Sequence, residues 1–259
     1  MIKEDIRYQD STVFEGMASI SALLQAMELG LHDRRILDIY VDSAKKSAKE
    51  KEIHFLSNMQ KRFGFGIHDC SASEIDAMTV GSSHGGIIAV CTDRTILSLE
   101  ENSIKPFGVY YLLDGVEDPY NFGNSLRSLY ASGADGIVLP KRNWMSAAGV
   151  VARSSAGASE LLPMFTSENT ADAMEIFRKA GYRILCAGIR NSSSLFETDL
   201  SYPLLVIIGG EKRGISASVL QKADAVVRID YGAEFRGSLS TSASAAVFGF
   251  EILRQNKKS

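Results

Sequence analysis

Two apolar runs in this chain each end in polar residues able to do chemistry. The first, Val109 to Leu113, is β-branched, aromatic and aliphatic throughout, which suits a strand buried on both faces of a parallel sheet. Asp114 ends it, and the stretch to Asn124 is rich in glycine, carboxylate, asparagine and proline, a turn and capping composition. A helix is predicted from about Phe122, with Leu126, Leu129 and Tyr130 on one face and Asn121, Asn124 and Arg127 turned toward the opening above the strand end. Gly133 closes it and Gly136 to Leu139 forms the next strand, completing a βαβ unit. In open α/β sheets the crevice beyond the carboxyl ends of the strands is where ligands bind. A guanidinium there can clamp a phosphate or steady a developing alkoxide, but it stays charged and cannot serve as a proton acceptor. The plainer alternative is an ordinary βαβ unit with a surface arginine.

The second run, Leu204 to Ile208, leads into GGEKRGIS, residues 209 to 216. Paired Gly209 and Gly210 let backbone approach a ligand closely, as an adenosine moiety would require. A Walker phosphate loop is excluded, because Gly214 is followed by Ile215 and Ser216 where Lys and Ser or Thr are needed. A dinucleotide-binding site is disfavoured too, since no GxGxxG opens a helix after an early strand.

The elements that must position these groups alternate along the chain. Helices are predicted at residues 15 to 30, 43 to 63 and 73 to 78, with strands at 34 to 41, 65 to 68 and 86 to 91, giving a small α/β/α layer domain. Residues 92 to 106 are polar and without period, and read as a linker. Beyond them, residues 144 to 162 are small and fit close backbone packing; Arg153 there is either a phosphate contact or half of a surface ion pair. A helix at 171 to 180, strands at 182 to 187 and 226 to 229, and a last helix opened by SLSTSASAA complete a mostly parallel sheet.

The order D-G-V-x-D-P-x-N-x-G-N-x-x-R over residues 114 to 127 resembles the first signature motif of the SpoU class of SPOUT RNA ribose methyltransferases. Gly209, Glu211 and Gly214 match its second motif, and Ser238 and Leu239 its third, where Ser240 stands in place of the usual asparagine. VFEGMASISALLQ and SHGGIIAV resemble the substrate-binding domain that precedes the catalytic domain in many members. The resemblance implies an RNA-binding domain over residues 1 to 92, a linker over 93 to 106, and a SPOUT catalytic domain with a trefoil knot over 107 to 259. It also implies S-adenosylmethionine as methyl donor, contacted by Gly209, Gly210, Ile229 and Leu239, with Asn121, Arg127, Glu211, Ser238 and Ser240 lining the chemistry and Glu211 orienting Arg127. Its substrate would be a ribose 2′-hydroxyl of RNA, ribosomal RNA with transfer RNA as the alternative, and its assembly a homodimer with the site near the interface. A relative without catalysis is the alternative that Ser240 raises.

Composition agrees with a protein of this kind without pointing to it. With 28 Lys and Arg against 31 Asp and Glu the formal charge is −3, so RNA contact must come from local patches. Lys45, Lys46, Lys49 and Lys51 offer one, unless they are a solvated helix face, and Lys141 with Arg142 another. The amino terminus lacks an apolar signal core and no run reaches the roughly 18 apolar residues of a membrane helix, so a cytoplasmic location is expected. Cys70, Cys91 and Cys186 share no CxxC spacing and read as small core residues. His32, His54, His68 and His84 all precede residue 100, away from the motifs, and neither a metal nor a nucleophile is expected. His84 reads as a loop residue capping the strand after it.

Overall fold

A computed structural model describes residues 12–79, 84–141 and 147–257 of the chain. The described residues group into two compact units, one made of residues up to Thr95 together with 147–161, the other of Ile96–141 and the residues from Leu162 onward.

The first unit is built on a four-stranded sheet of order β1-β4-β2-β3, with β1 at Val13–Glu15, β2 at Ile36–Asp42, β3 at Gly66–Cys70 and β4 at Ile87–Cys91. Helix α1 (Gly16–Leu29) buries Ile20, Leu23, Leu24 and Met27 against Phe14, Ile39, Val41 and Ala89, and ends at Gly30 in the left-handed conformation with φ 64°. The helix expected over 43 to 63 resolves into two 3₁₀ turns followed by α2 (Glu50–Phe63), which sends only Leu56 fully into the core. Helix α3 (Ala72–Met78) opens with a capping box between Ser71 and Glu74.

The unit also takes in residues 147–161, which the sequence assigns to the catalytic half; the boundary expected at residues 93 to 106 differs from the grouping in this respect. Small residues are the reason. Ala152, in the helix Ala148–Ser154, enters the core of α1, and Gly157 (φ 85°) lies so close to Ala22 that no side chain fits there. Arg153 forms an ion pair with Glu15 at 2.7 Å, resolving the two readings of that residue. Glu160, in the helix Ala158–Leu161, is 3% exposed and meets both His32 Nε2 and Arg34 Nε at 3.3 Å. Arg94 donates to the Ser159 carbonyl at 2.6 Å, and the Arg34 guanidinium lies 4.8 Å from the centre of the Phe14 ring. Burial alone would raise the Glu160 carboxyl, but the close approach of His32 and the charges of Arg34 and Arg94 outweigh it and hold the carboxyl below its ordinary range.

The second unit carries an eight-stranded sheet of order β10-β12-β9-β11-β6-β7-β8-β5, parallel at every pairing. Its strands are β5 (Leu97–Ser98), β6 (Val109–Asp114), β7 (Gly136–Pro140), β8 (Met164–Ser167), β9 (Arg183–Ala187), β10 (Ser193–Ser194), β11 (Leu204–Gly209) and β12 (Ala225–Arg228). The expected linker is thus partly integrated: Leu97–Ser98 pairs with β8, and Leu99 and Ile104 are buried in this unit's core. Central β6 and β11 are buried along nearly their whole length, as their unbroken apolar sequences require.

Helix α4 spans Pro119–Ala131, starting three residues before the predicted Phe122, because Asp118 caps it and Pro119 fits its first turn. It buries Phe122, Ser125, Leu126 and Leu129, whereas Tyr130, expected on that face, is 41% exposed. Helix α5 (Thr170–Lys179) packs Ala173, Met174 and Phe177 into the core, and α6 (Ala217–Lys222) precedes β12. The last helix, α7 (Thr241–Asn256), crosses α4 at Gly249, where a Cβ would come within 3.0 Å of the Ser132 Cβ. Cys91 and Cys186 are buried and Cys70 half-buried; burial raises the Cys91 thiol and pushes the Cys186 thiol up to about 12.

Candidate active site

Two cavities of the second unit share Glu211 and Thr241 in their walls. The larger, of about 570 Å³, is bounded by the turns that follow β9, β11 and β12 and by the start of α7. The smaller, of about 450 Å³, lies over the β6–α4 turn, residues 115 to 119, with Asn121 and Lys212.

Close backbone approach creates this junction. Strands β6 and β11 run in register, pairing Asp114 with Gly209, and the Gly210 amide then donates to the Asp114 carbonyl at 2.6 Å. A Cβ on Gly210 would run into the Gly115 carbonyl, and one on Gly209 would lie 2.7 Å from the Gly214 carbonyl carbon. Both glycines are therefore required for turns to lie against each other at the mouth of the sheet. Thr170 fixes the end of β6 by donating to Asp114 Oδ2 at 3.1 Å.

Asp118 starts α4 by accepting the Asn121 amide at 2.7 Å, which places Asn121 in the first turn. From there Asn121 Nδ2 donates to Glu211 Oε1 at 2.7 Å, and the Thr241 amide approaches the same oxygen at 3.5 Å. Thr241 is 3% exposed and its hydroxyl donates to the Gly209 carbonyl at 3.2 Å, tying the start of α7 to the end of β11. Ser242 Oγ donates to Asn121 Oδ1 at 3.4 Å. Glu211 Oε2 has no protein partner among the described residues, and the side chain is exposed to both cavities.

The residues singled out in sequence are distributed unequally over this geometry. Gly209, Gly210, Glu211, Ile229, Ser238 and Leu239 all line the larger cavity. Asn121 and Glu211 meet directly. Ser240 lines neither cavity; its hydroxyl accepts the Ala243 amide at 3.2 Å as the cap of α7. Arg127 is exposed, lines neither cavity and has no partner among the described residues, so the expected orientation of Arg127 by Glu211 is replaced by the bond from Asn121 to Glu211. Helix geometry explains this: at about 100° per residue, six residues put Arg127 some 120° around α4 from Asn121.

The capping role of Asp118 and the parts of Thr241, Ser242 and Tyr231 were not read from the sequence. Asp-Pro ahead of a helix was a legible capping signal. Tyr231, whose hydroxyl accepts the Leu239 amide at 3.2 Å, had none, because that contact joins two loops.

The larger cavity fits an adenosyl cofactor. Its volume is that of a small-molecule site, Ile208, Leu220, Ile229, Leu239 and Phe248 provide apolar walls, and Arg190 and Arg213 add cationic groups for a carboxylate. Turns that exclude even a Cβ at Gly209 and Gly210 leave main-chain groups to recognise a base edge.

Other polar residues have structural partners. His84 is buried, bonds Asp76 Oδ1 at 2.9 Å and accepts the Gly86 amide on Nδ1 at 3.0 Å, so it caps the turn into β4 as expected. Lys45, Lys46 and Lys49 pair with Asp42, Asp69 and Glu52, as on a solvated face, while Lys51 is exposed. Lys141 pairs with Glu168, and Arg142 lies outside the described residues. Among the described residues no cluster of His, Cys, Asp and Glu could hold a metal ion, and no helix is long and apolar enough to cross a membrane.

Comparison with known proteins gives the family. The profile of the SpoU rRNA Methylase family matches residues 108–250. A putative TrmH family tRNA/rRNA methyltransferase of Staphylococcus saprophyticus is 30% identical over 222 residues, 84% of this chain and 87% of that protein. The 23S rRNA (guanosine-2'-O-)-methyltransferase RlmB of Shewanella oneidensis is 28% identical over 99% of this chain and its own full length. Among solved structures, the AdoMet-bound rRNA methyltransferase from Sinorhizobium meliloti superposes with a TM-score of 0.79 at 20% identity, covering 99% of this chain and 95% of that one. The SpoU methyltransferase AviRb from Streptomyces viridochromogenes, in complex with AdoMet, gives 0.73 at 19% identity over 94% and 89%. The α/β fold with its eight-stranded parallel sheet is that of the SPOUT methyltransferases, and with the profile spanning more than half of the sequence, the chain belongs to the SpoU rRNA methylase family.

Proposed function

We propose that this protein transfers a methyl group from S-adenosylmethionine to a ribose 2′-hydroxyl of RNA, with ribosomal RNA as its substrate. The observation that carries the reading is the pair of cavities meeting at Glu211, one suited to an adenosyl group and the other open to an acceptor. The name of the Shewanella relative favours ribosomal RNA, and that of the Staphylococcus relative, which covers both, makes transfer RNA the second substrate to test.

The cofactor, when bound, supplies a methyl group on a sulfonium, an electrophile strong enough for a hydroxyl nucleophile. Gly209, Gly210, Ile229 and Leu239 would hold it from the larger cavity, with Ser238 at the rim. Glu211 has its Oε1 engaged by Asn121 and Thr241, so its Oε2 is the oxygen available to accept a hydrogen bond from the incoming ribose hydroxyl and aim its lone pair. Arg127, too far around α4 to join that bond within one chain, would clamp a phosphate of the RNA in a homodimer whose site lies near the interface. The first unit would select the RNA, and a carboxyl-terminal segment threaded as a trefoil knot would form the cofactor loops.

Mapping 2′-O-methyl positions in ribosomal and transfer RNA from cells with and without the protein tests the reading, together with calorimetric titration of the pure protein. Loss of one ribosomal ribose methylation and heat with S-adenosylmethionine are expected. Unchanged maps, or heat with NAD and none with S-adenosylmethionine, would overturn it. An Arg127→Ala variant should retain cofactor binding and lose about 10²–10³ in methyl transfer if the guanidinium meets developing charge.

A further inference from the structure

Ser240 stands where the family carries asparagine, yet the hydroxyls of the first α7 turn connect that position to Glu211. Four hydrogen bonds run in sequence. The Ala243 amide donates to Ser240 Oγ at 3.2 Å, Ser240 and Ser242 hydroxyls lie 3.0 Å apart, Ser242 Oγ is 3.4 Å from Asn121 Oδ1, and Asn121 Nδ2 is 2.7 Å from Glu211 Oε1.

Chemistry fixes the direction of every proton in this series. An ionised carboxylate only accepts, so the Asn121 group facing Glu211 must be its NH₂, and the group facing Ser242 must be its carbonyl. That carbonyl also only accepts, so Ser242 spends its proton on Asn121. With its only proton committed to Asn121, Ser242 can only accept from Ser240, which donates to it while accepting the Ala243 amide. All donors point toward Glu211, and such aligned chains strengthen one another.

We infer that Ser242 is a positioning residue for methyl transfer: through Asn121 it holds Glu211 in the orientation that presents Oε2 to the acceptor, with Ser240 completing the chain. This rests on the proposed function for its kinetic consequence, but not for the hydrogen bond itself. It also explains how a chain with serine at 240 keeps an ordered site. Without the Ser242 hydroxyl, the Asn121 carboxamide loses the bond that holds its oxygen end, so it and the Glu211 carboxylate it meets gain freedom to turn.

The test compares Ser242→Ala, Ser242→Thr and Asn121→Ala, singly and with Ser242→Ala added to Asn121→Ala. Thermal melting checks folding, and Ser242 is only half-buried. Loss of one such hydrogen bond should lower turnover about 3- to 10-fold in Ser242→Ala, with KM for RNA and calorimetric affinity for S-adenosylmethionine unchanged. Ser242→Thr should restore turnover, and Ser242→Ala should add nothing in the Asn121→Ala background. Independently of activity, the side-chain NH₂ resonances of Asn121, identified by their loss in Asn121→Ala, should move in Ser242→Ala and return in Ser242→Thr. Additive kinetic losses, a threonine variant as slow as the alanine variant, or NH₂ resonances indifferent to Ser242 would each overturn the inference. A wild-type protein that methylates no RNA would instead overturn the proposed function, leaving the resonances to decide the positioning role.

Discussion

Glu160 in the first unit and Glu211 in the second put the same side chain to opposite uses. Glu160 is 3% exposed, faces His32, Arg34 and, electrostatically, Arg94, and sits on a segment whose sequence neighbours belong to the other unit's sheet. Glu211 is exposed at the meeting of two cavities and binds its Asn121 and Thr241 donors through one oxygen. A buried carboxylate ion-paired to cations is out of a substrate's reach, and the cost of removing it falls on the fold. A carboxylate with one oxygen held and the other open is oriented at little cost to stability, and losing it should fall on the reaction. Neither the residue type nor its charge tells the two apart; surrounding cations and solvent access do.

The largest effect expected from this contrast is on folding. Glu160→Ala leaves Arg34 and Arg94 buried with their shared anion gone, and breaking a buried ionic cluster in this way costs about 3–5 kcal/mol. Denaturant melts should show that loss, while calorimetric affinity for S-adenosylmethionine, measured below the new melting point, stays within twofold. An equal loss of cofactor affinity would erase the distinction between the two carboxylates.

Glu211→Gln is the mirror experiment. Turnover should fall about 10²-fold or more, as for removal of a group that manages the nucleophile's proton, with the melting temperature nearly unchanged. A variant that keeps its rate but melts early would make Glu211 a second Glu160.

Acid should separate them again. The Glu160 carboxyl is held below its ordinary value of 4.5, so its contribution is complete above about pH 4.5 and is lost as pH falls through the depressed folded value. The stability difference between wild type and Glu160→Ala should therefore shrink as pH falls below 4.5. A gap that narrows instead on the alkaline side would contradict the sign.

The smallest effect concerns the scaffold beneath Glu211. Asp118→Ala removes the cap of α4, worth about 1 kcal/mol, and frees the first turn that carries Asn121. A modest drop in melting temperature with a several-fold loss of turnover is expected. If turnover is untouched, the cap serves the helix alone.

How much of this was legible in sequence follows the range of the interactions. The strands Val109–Asp114 and Leu204–Gly209, the glycine pair after the second, and the helix opened by Ser240 were readable because each depends on local composition and period. The ordered motif around Asn121 and Glu211 carried the family with it. What lay beyond reach was decided by contacts across long separations. The bond from Asn121 to Glu211 spans 90 residues, and Leu97 joins the sheet by pairing with Phe165. Residues 147–161 join the first unit because Gly157 fits against Ala22 and Glu160 answers Arg34, partners that lie more than a hundred residues earlier. Arg127 is the reverse case: its six-residue spacing from Asn121 already puts it about 120° around an α-helix, so its exposed place away from Glu211 was legible once the helix was placed. Local propensity and side-chain periodicity are written in neighbouring residues, so the elements and the chemistry of each motif came from sequence; which carboxylate is buried among cations and which remains open depends on what the folded chain brings around it, and only the tertiary structure decided that.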